Sequence, residues 1–496
     1  MIISDRREQL PRLLAAAAVI AGIAAWIVFL QGGLVLSHYD AKAHLVVARR
    51  VLDSITPSWQ QVGAVWLPLP HVLNLLPVQI DALYRTGASG TMISIASFGL
   101  MAYATARLVL AVTGSAAGAI AAVATLVLNP NLLYLQSTPM SEPLLLGLTI
   151  LVVLWLYEWV RDDTDRVPRR LGWAIVAAVL TRYEVWAVVG AGIAAAAWAF
   201  WRRGVPPHVT AQRVIRLSMW PAVAVALFLL NSRITVGAWF VSGGFYVPDP
   251  EYQGRAARTL VSLWWGTHEL SGYVLATAGV AAAVTLTVRA VMRRSDAALL
   301  VPVSILAAGV VPFIAFYQGH PYRIRYMIPL VGASAILGGI AVGWTRKAAP
   351  VAAATLLASV LAESPPWRST APMLMEAQWD RPASEGRRRV TTCLASEYRG
   401  DKILASMASL AHYMQELSAA GLHIADFIHE GNGAIWNMAL ETGPALHAGW
   451  MLVEEQAEGG DILAQRIART PAFAEGMVRV CEGGGVALYK RHSGHE

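Results

Sequence analysis

Between Ser37 and His44 the chain places His38, Tyr39, Asp40, Lys42 and His44, immediately after an apolar run over residues 12–36. A carboxylate held at a membrane boundary among cations is suited to acid–base chemistry on a substrate seated at the lipid edge. Ionisable residues recur at the ends of later apolar runs. They stand in Ser141-Glu142-Pro143, in Thr181-Arg182-Tyr183-Glu184 and in His320-Pro321-Tyr322-Arg323-Ile324-Arg325-Tyr326. Charges so close to hydrocarbon are costly without a partner or an aqueous cavity. Arginine in such a place suits an anion, because its planar fork matches phosphate or carboxylate. Each group also has an ordinary reading. Glu142 starts a helix before Pro143, Arg182 and Glu184 form a structural ion pair, Arg323 and Arg325 snorkel to headgroups, and His38 and His44 are hydrogen-bonding wall residues.

The elements that must position these groups are membrane helices. Hydrophobic residues make up 56% of the 496 and charged residues 14%. Apolar runs of the length a bilayer requires lie near 12–34, 90–106, 108–129, 142–159, 170–182, 184–201, 217–236, 271–290, 298–317, 326–344 and 348–363, about eleven in all. The 170–182 run is the shortest. No small-residue cleavage site follows the first run, so residues 1–30 read as a retained span and not as a signal peptide. Alternate connections are basic, holding Arg6, Arg7 and Arg12, then Arg161, Arg166, Arg169 and Arg170, then Arg202, Arg203, Arg213 and Arg216, then Arg289, Arg293 and Arg294, and lastly Arg346 and Lys347. Basic loops stay cytoplasmic, which predicts a cytoplasmic N-terminus. The connections carrying the chemistry-bearing residues then face outward, together with everything after 364.

Two outward segments are more than linkers. In the first, 35–89, apolar Leu45, Val46, Val47, Val51 and Leu52 alternate with Arg49, Arg50 and Asp53 at helical spacing. That pattern predicts an amphipathic helix lying on the membrane surface. Trp66-Leu67-Pro68-Leu69-Pro70-His71 then cannot be a regular helix. The second segment, 364–496, holds 12 Lys and Arg against 16 Asp and Glu. The basic excess of the chain, net +7, therefore belongs to the membrane half and points to anionic lipid and topology, not nucleic acid. Strands at 402–407, His423–Ile428 and Trp450–Glu455, with helices at 409–420, 432–440 and Gly460–Ala474, predict a soluble α/β domain. A hairpin over Met477–Val480 and Val486–Lys490, turning at Glu482-Gly-Gly-Gly485, closes it. Cys393 and Cys481 both lie here, where an oxidising compartment permits a disulfide and two buried thiols are the alternative.

Tyr39-Asp40-Ala41 with its helix, Trp66-Leu-Pro-Leu-Pro-His71, Ser141-Glu142-Pro143, Leu180-Thr181-Arg182-Tyr183-Glu184 and Arg325-Tyr326-Met327-Ile328-Pro329 together resemble the GT-C superfamily of membrane glycosyltransferases. The chain is most similar to the branch holding protein O-mannosyltransferases and lipid A aminoarabinose transferases. The resemblance runs over nearly the whole chain and implies a polytopic α-helical catalytic module over 1–363 with an extracytoplasmic α/β domain over 364–496, in the plasma (inner) membrane. It implies inverting transfer of a sugar from a polyprenyl-phosphate carrier to an acceptor hydroxyl, with Asp40 as catalytic base and Arg323 and Arg325 on the donor phosphate. Ala41 departs from the O-mannosyltransferase pattern, where a second acid follows the aspartate, and removes one metal ligand.

The residues fit that chemistry. A hydroxyl nucleophile needs a carboxylate within hydrogen-bond reach, and a leaving phosphate needs cations, here Arg325, Arg323, Lys42 and Arg182. His38, Tyr39, His44, His71, Glu142, Glu184 and Tyr326 are candidate substrate contacts. In an inverting displacement nucleophile and leaving group lie on opposite faces of the sugar, so Asp40 and the arginines are expected to flank a cavity without pairing. No metal is required by a lipid-phosphate donor, although Asp40, His38 and His44 permit a divalent ion. Partners implied are membrane lipid, the polyprenyl-phosphate-sugar donor and an acceptor that is protein, glycolipid or polysaccharide. Two other classes stand beside this one: a transporter or flippase, whose ionisable groups should sit near midplane between matched broken helices whereas these cluster at one side, and a sensor or assembly protein whose outward tail binds a partner.

Overall fold

The computed structural model describes residues 2–241, 246–456 and 460–492, with side chains from Glu8 onward. The side chains of Arg6 and Arg7, and those parts of the 237–270 connection and of the 364–496 segment that fall on 242–245, 457–459 and 493–496, lie outside what is described. The chain is a polytopic helical body with a small C-terminal sheet.

Among the described residues eight helices are long and apolar enough to cross a membrane, or nine if the bent pair Ala116–Val127 and Pro130–Gln136 is one span. About eleven were expected. The runs near 170–182 and 348–363 form helices Arg169–Val179 and Ala349–Glu363. At 1.5 Å per residue these reach only about 16 and 22 Å, short of a hydrocarbon core of about 30 Å. By length alone these two fall short of a span, yet 169–182 runs alongside Glu142–Asp162, with Arg170 meeting Glu158 at 3.2 Å at one end and Arg182 meeting Glu142 at 3.0 Å at the other.

Helices Glu142–Asp162 and Ile324–Trp344 are buried over 89% and 83% of their apolar stretches, whereas Glu8–Gln31 and Pro207–Val236 are buried over 11% and 17%. The first two form the centre of the body, and the last two keep apolar side chains on its outside, where lipid would cover them. The helix ending at Trp344 is seated by glycine. A side chain at Gly339 would meet the Gly118 carbonyl at 2.7 Å and Ala122 Cβ at 2.5 Å, and one at Gly118 would meet the Gly339 carbonyl at 2.5 Å. Backbone therefore touches backbone between 116–127 and 328–344, the packing that small residues spaced by four allow. This contact sets the height of the turn Ile324–Met327, which carries Arg325 and Tyr326.

The C-terminal sheet has strands β1 (Ile403–Ala405), β2 (Phe427–Ile428), β3 (Trp450–Glu454), β4 (Met477–Gly483) and β5 (Val486–Arg491) in the order β2-β1-β3-β5-β4. β1 is parallel to β2 and β3, while β5 is antiparallel to β3 and β4. The β4–β5 turn uses Gly484 and Gly485 at φ +60° and +78°, the left-handed pair that a two-residue hairpin needs. Helix Arg381–Glu397 lies on this hairpin, with Gly386 so close to Gly483 and Gly484 that neither side tolerates a Cβ. The Cys393–Cys481 disulfide joins the same helix to the same strand.

Helix Tyr39–Arg49 does not lie on a lipid surface. Leu45, Val46 and Ala48 enter one core with Val78 and Tyr84 and with Ile403, Leu410, Tyr413, Phe427, Trp450 and Leu488 of the C-terminal region. Polar ties reinforce the seam. Gln61 Nε2 donates to the Gly431 carbonyl (2.8 Å), the Ala425 N–H donates to Asp53 (3.0 Å), and Asn432 Nδ2 donates to Ser54 Oγ (3.2 Å). The stripe has the spacing of an amphipathic helix, but a protein core covers it.

The glycine seat is testable. Gly339→Val adds bulk where no side chain can retreat, and overpacking of this kind costs about 1–3 kcal/mol. We expect a lowered unfolding midpoint in detergent, read by thermal scanning fluorimetry, while Gly190→Val, where nothing lies within 4 Å of the added carbon, leaves it unchanged.

Candidate functional site

Asp40 stands in the first turn of helix Tyr39–Arg49, where a carboxylate complements the helix dipole. His38 is the N-cap, and its Nδ1 accepts the Asp40 N–H at 3.0 Å. Because Nδ1 is an acceptor, the neutral ring carries its proton on Nε2. That N–H points to Glu376 Oε1 at 3.4 Å. Glu376 ends the short helix Pro372–Glu376, which is held by Asn131 Oδ1 accepting the Met373 N–H at 3.0 Å. Asn131 and Asn129 donate in turn to the Leu270 carbonyl at 3.1 and 2.7 Å. The Asn129-Pro130-Asn131 bend thus fixes the acid that orients His38.

Arg325 reaches this group from the turn before its span. Its Nη2 contacts Asp40 Oδ2 at 2.7 Å, Nη1 lies 3.2 Å from His38 Nε2, and Nε lies 3.9 Å from Glu376 Oε1. The expectation that Asp40 and the arginines face each other without pairing is therefore not met for Arg325. Burial would raise the Asp40 pKa, but the Arg325 guanidinium, with His38, His44 and Arg182 adding to it, holds the carboxyl at about 2. Burial also pushes Glu376 up, and the His38 hydrogen bond and Arg325 charge bring it below the ordinary value. Arg325 Nε, by contrast, is buried without a hydrogen-bond acceptor.

Arg182 occupies a second ionic knot. It donates to Glu142 Oε1 (3.0 Å), to Glu184 Oε1 (2.9 Å) and to Ser141 Oγ (3.2 Å). Glu142 and Glu184 thus hold a cation between the starts of two helices, the structural pairing that the sequence allowed. Tyr326 joins the two knots, with the guanidinium carbons of Arg325 and Arg182 lying 5.6 and 5.9 Å from its ring centre. The turn bearing Arg182 is fastened to the proline segment, since the Leu69 N–H donates to the Leu180 carbonyl and the Tyr183 hydroxyl to the Val65 carbonyl, both at 2.9 Å. Pro70 falls in the first turn of helix Leu69–Asn74, where a missing N–H costs nothing.

The other candidates are placed as follows. His44, one turn after Asp40, is buried with its Nδ1 3.1 Å from His71 Nε2 and its ring 4.3 Å from Trp66. Burial lowers its pKa to about 4. Arg323 lies over the Trp379 ring at 5.1 Å. Two residues turn toward the C-terminal region. The Tyr39 hydroxyl donates to the Ala408 carbonyl at 2.7 Å and its ring packs on His412 at 4.8 Å. Lys42 is lowered in pKa by burial and sits in the field of Arg387, Asp380, Glu416 and Glu454. Lys42 is thus not grouped with Arg325, because successive helix positions leave on different sides.

Glu376 is the site residue that the sequence reading missed. Its one sequence signal is an acid among Met373, Leu374, Met375 and Ala377, just past the last apolar run. Among the described residues no group of three or more His, Cys, Asp or Glu side chains has the arrangement of a metal site.

Comparison with known proteins places the fold. No protein-family profile matches the sequence, and no curated protein resembles it at the sequence level. Among solved structures, ArnT from Cupriavidus metallidurans bound to undecaprenyl phosphate superposes with a TM-score of 0.57, covering 97% of this chain and 98% of that one at 11% identity. The apo form gives 0.54, with 96% and 98% covered at 13% identity. The chain shares their fold from end to end.

The buried His44 gives a pH test. Its folded pKa, about 4, lies below the ordinary value near 6.5. The folded protein therefore excludes a proton that the unfolded chain binds, and this contribution to stability is present above pH 6.5 and lost as pH falls toward 4. From pH 7 to 5 the loss is about 2 kcal/mol. His44→Gln removes it, so the gap in unfolding midpoint between wild type and variant should shrink on going from pH 7 to 5. A constant gap would show that His44 is not held neutral.

Proposed function

We propose that this chain, folded like an ArnT that binds undecaprenyl phosphate, is a glycosyltransferase that moves a sugar from a polyprenyl-phosphate donor to an acceptor hydroxyl. The observation that carries the reading is Asp40 meeting Arg325 where helix Tyr39–Arg49 approaches the turn Ile324–Met327, in a fold otherwise known with a polyprenyl phosphate bound. In the proposed reaction the donor brings its own leaving group. Arg325 takes the phosphate oxygens, its partnerless Nε supplying one donor and Nη2 a second. Arg323, at the neighbouring edge, adds positive field, and Tyr326 stands between Arg182 and Arg325. Asp40 accepts the proton of the incoming hydroxyl as its oxygen attacks the anomeric carbon. The bond from that carbon to the phosphate oxygen breaks, and the electron pair leaves with the phosphate. Attack opposite the departing oxygen inverts the anomeric centre. His38 holds the Asp40 backbone, and Glu376 holds His38.

The basic alternate loops support a cytoplasmic N-terminus, which puts the site and the sheet on the extracytoplasmic side of the inner membrane. The seam between segment 35–89 and the sheet supports a role for the C-terminal region in shaping the acceptor side. No metal is needed for this scheme, because guanidinium neutralises the departing phosphate.

The test is transfer from undecaprenyl-phosphate sugars in detergent. Asp40→Asn should lower turnover by about 10²–10⁴-fold, the range for losing a positioned base, with the protein still folded and still retaining the donor. Full activity would remove Asp40 from the chemistry, and no transfer by wild type with any such donor would favour a transporter. Treatment with EDTA should leave the wild-type rate unchanged, and a loss restored by a divalent ion would add a metal to the scheme.

A further inference from the structure

The arrangement around Arg325 raises a difficulty that the proposed reaction must resolve. Its Nη2 lies 2.7 Å from the carboxylate meant to act as base. A carboxylate so paired is a weak proton acceptor, and a guanidinium so paired presents little of its fork to a phosphate. Both partners are unavailable while they hold each other. The remaining contacts of Arg325 are loose, with His38 at 3.2 Å presenting a ring nitrogen whose proton already points to Glu376, and Glu376 itself at 3.9 Å. Arg325 Nε has no acceptor although it is buried. The guanidinium is thus held firmly at one corner only.

We propose that Asp40 and the donor phosphate compete for Arg325, so that binding of the lipid phosphate draws the guanidinium off Asp40 and only then makes Asp40 able to take the acceptor proton. This rests on the reading of the chain as a polyprenyl-phosphate-sugar transferase and adds an order of events to it. The donor phosphate presents two unesterified oxygens that accept two parallel N–H groups at once, so it meets Nη2 and the idle Nε together, whereas Asp40 meets Nη2 alone. Asp40, once released, remains in the field of Arg182 but loses its nearest cation. The free enzyme then keeps its base quenched, and an acceptor hydroxyl or water arriving before the donor meets a spent carboxylate. Transfer itself balances as before, with the proton going to Asp40 and the electron pair to the phosphate, which Arg325 already holds.

Competition has a signature that needs no turnover, since removing one competitor strengthens the other. The measurement is binding of undecaprenyl phosphate, without sugar, to the full-length protein in detergent, by native mass spectrometry titration. Asp40→Ala should bind about tenfold more tightly than wild type, and Asp40→Asn, which preserves shape, should shift in the same direction. Arg325→Ala should bind more weakly than wild type. In the Arg325→Ala background the Asp40→Ala change should have no further effect, because nothing remains to be released. Equal affinity of wild type and both Asp40 variants would overturn the competition while leaving the transferase reading intact. Equal tightening by Asp40→Ala with and without Arg325 would also overturn it, since that is plain repulsion between carboxylate and phosphate. Absence of binding to every folded variant would overturn the transferase reading itself, and this inference with it.

Discussion

The ion pair between Asp40 and Arg325 is the interaction around which the rest is arranged. Two charges in a largely buried site are costly to remove from water, and their mutual attraction compensates only when further hydrogen bonds complete the shell. Here the shell comes from far apart in the chain. His38 caps the helix that bears Asp40, Glu376 arrives from beyond the last long helix, and the Arg182 knot with Tyr326 closes the other side. None of these groups makes sense singly, because each is a charge or polar ring at the edge of hydrocarbon whose partner is supplied by a different segment.

Geometry at that site is set by packing well away from it. The turn with Arg325 is as high as the helix below it, and that helix is registered by glycine-to-glycine contact with 116–127. Glu376 is as steady as the Asn131 amide holding the backbone before it. Asp40 is as steady as a helix whose apolar side is a piece of the sheet domain's core. A change in any of these three supports would move a charge by a fraction of an ångström, which matters for a pair held at 2.7 Å.

What could be read in the sequence follows from what each signal measures. Ionisable residues at the ends of apolar runs are conspicuous, so Asp40, Arg182, Glu142, Glu184 and Arg325 were visible, as was the hairpin at Glu482-Gly-Gly-Gly485. Partner choice was not visible. Periodicity at Leu45 and Val46 showed that the helix has a side to be covered, and hydropathy does not distinguish lipid from protein as the cover. Glu376 escaped because a five-residue helix has no period to detect. Lys42 was grouped with Asp40 by nearness in sequence, whereas side chains two positions apart on a helix leave in different directions. The two cysteines showed that a bond was chemically open, and only the approach of helix Arg381–Glu397 to β4 brings them together.

The shared core has a consequence for how the molecule is made. Leu45 and Val46 are synthesised long before Leu488, which lies in the same cluster. Chains are built from the N-terminus and segments fold as they emerge. The helix carrying Asp40 must therefore wait, its apolar side uncovered, while more than four hundred residues are inserted or released. Ribosomes that stall or terminate early would leave a bundle of spans with an unfinished and sticky loop. Quality control can recognise such a loop, and only chains that reach Leu488 bury it.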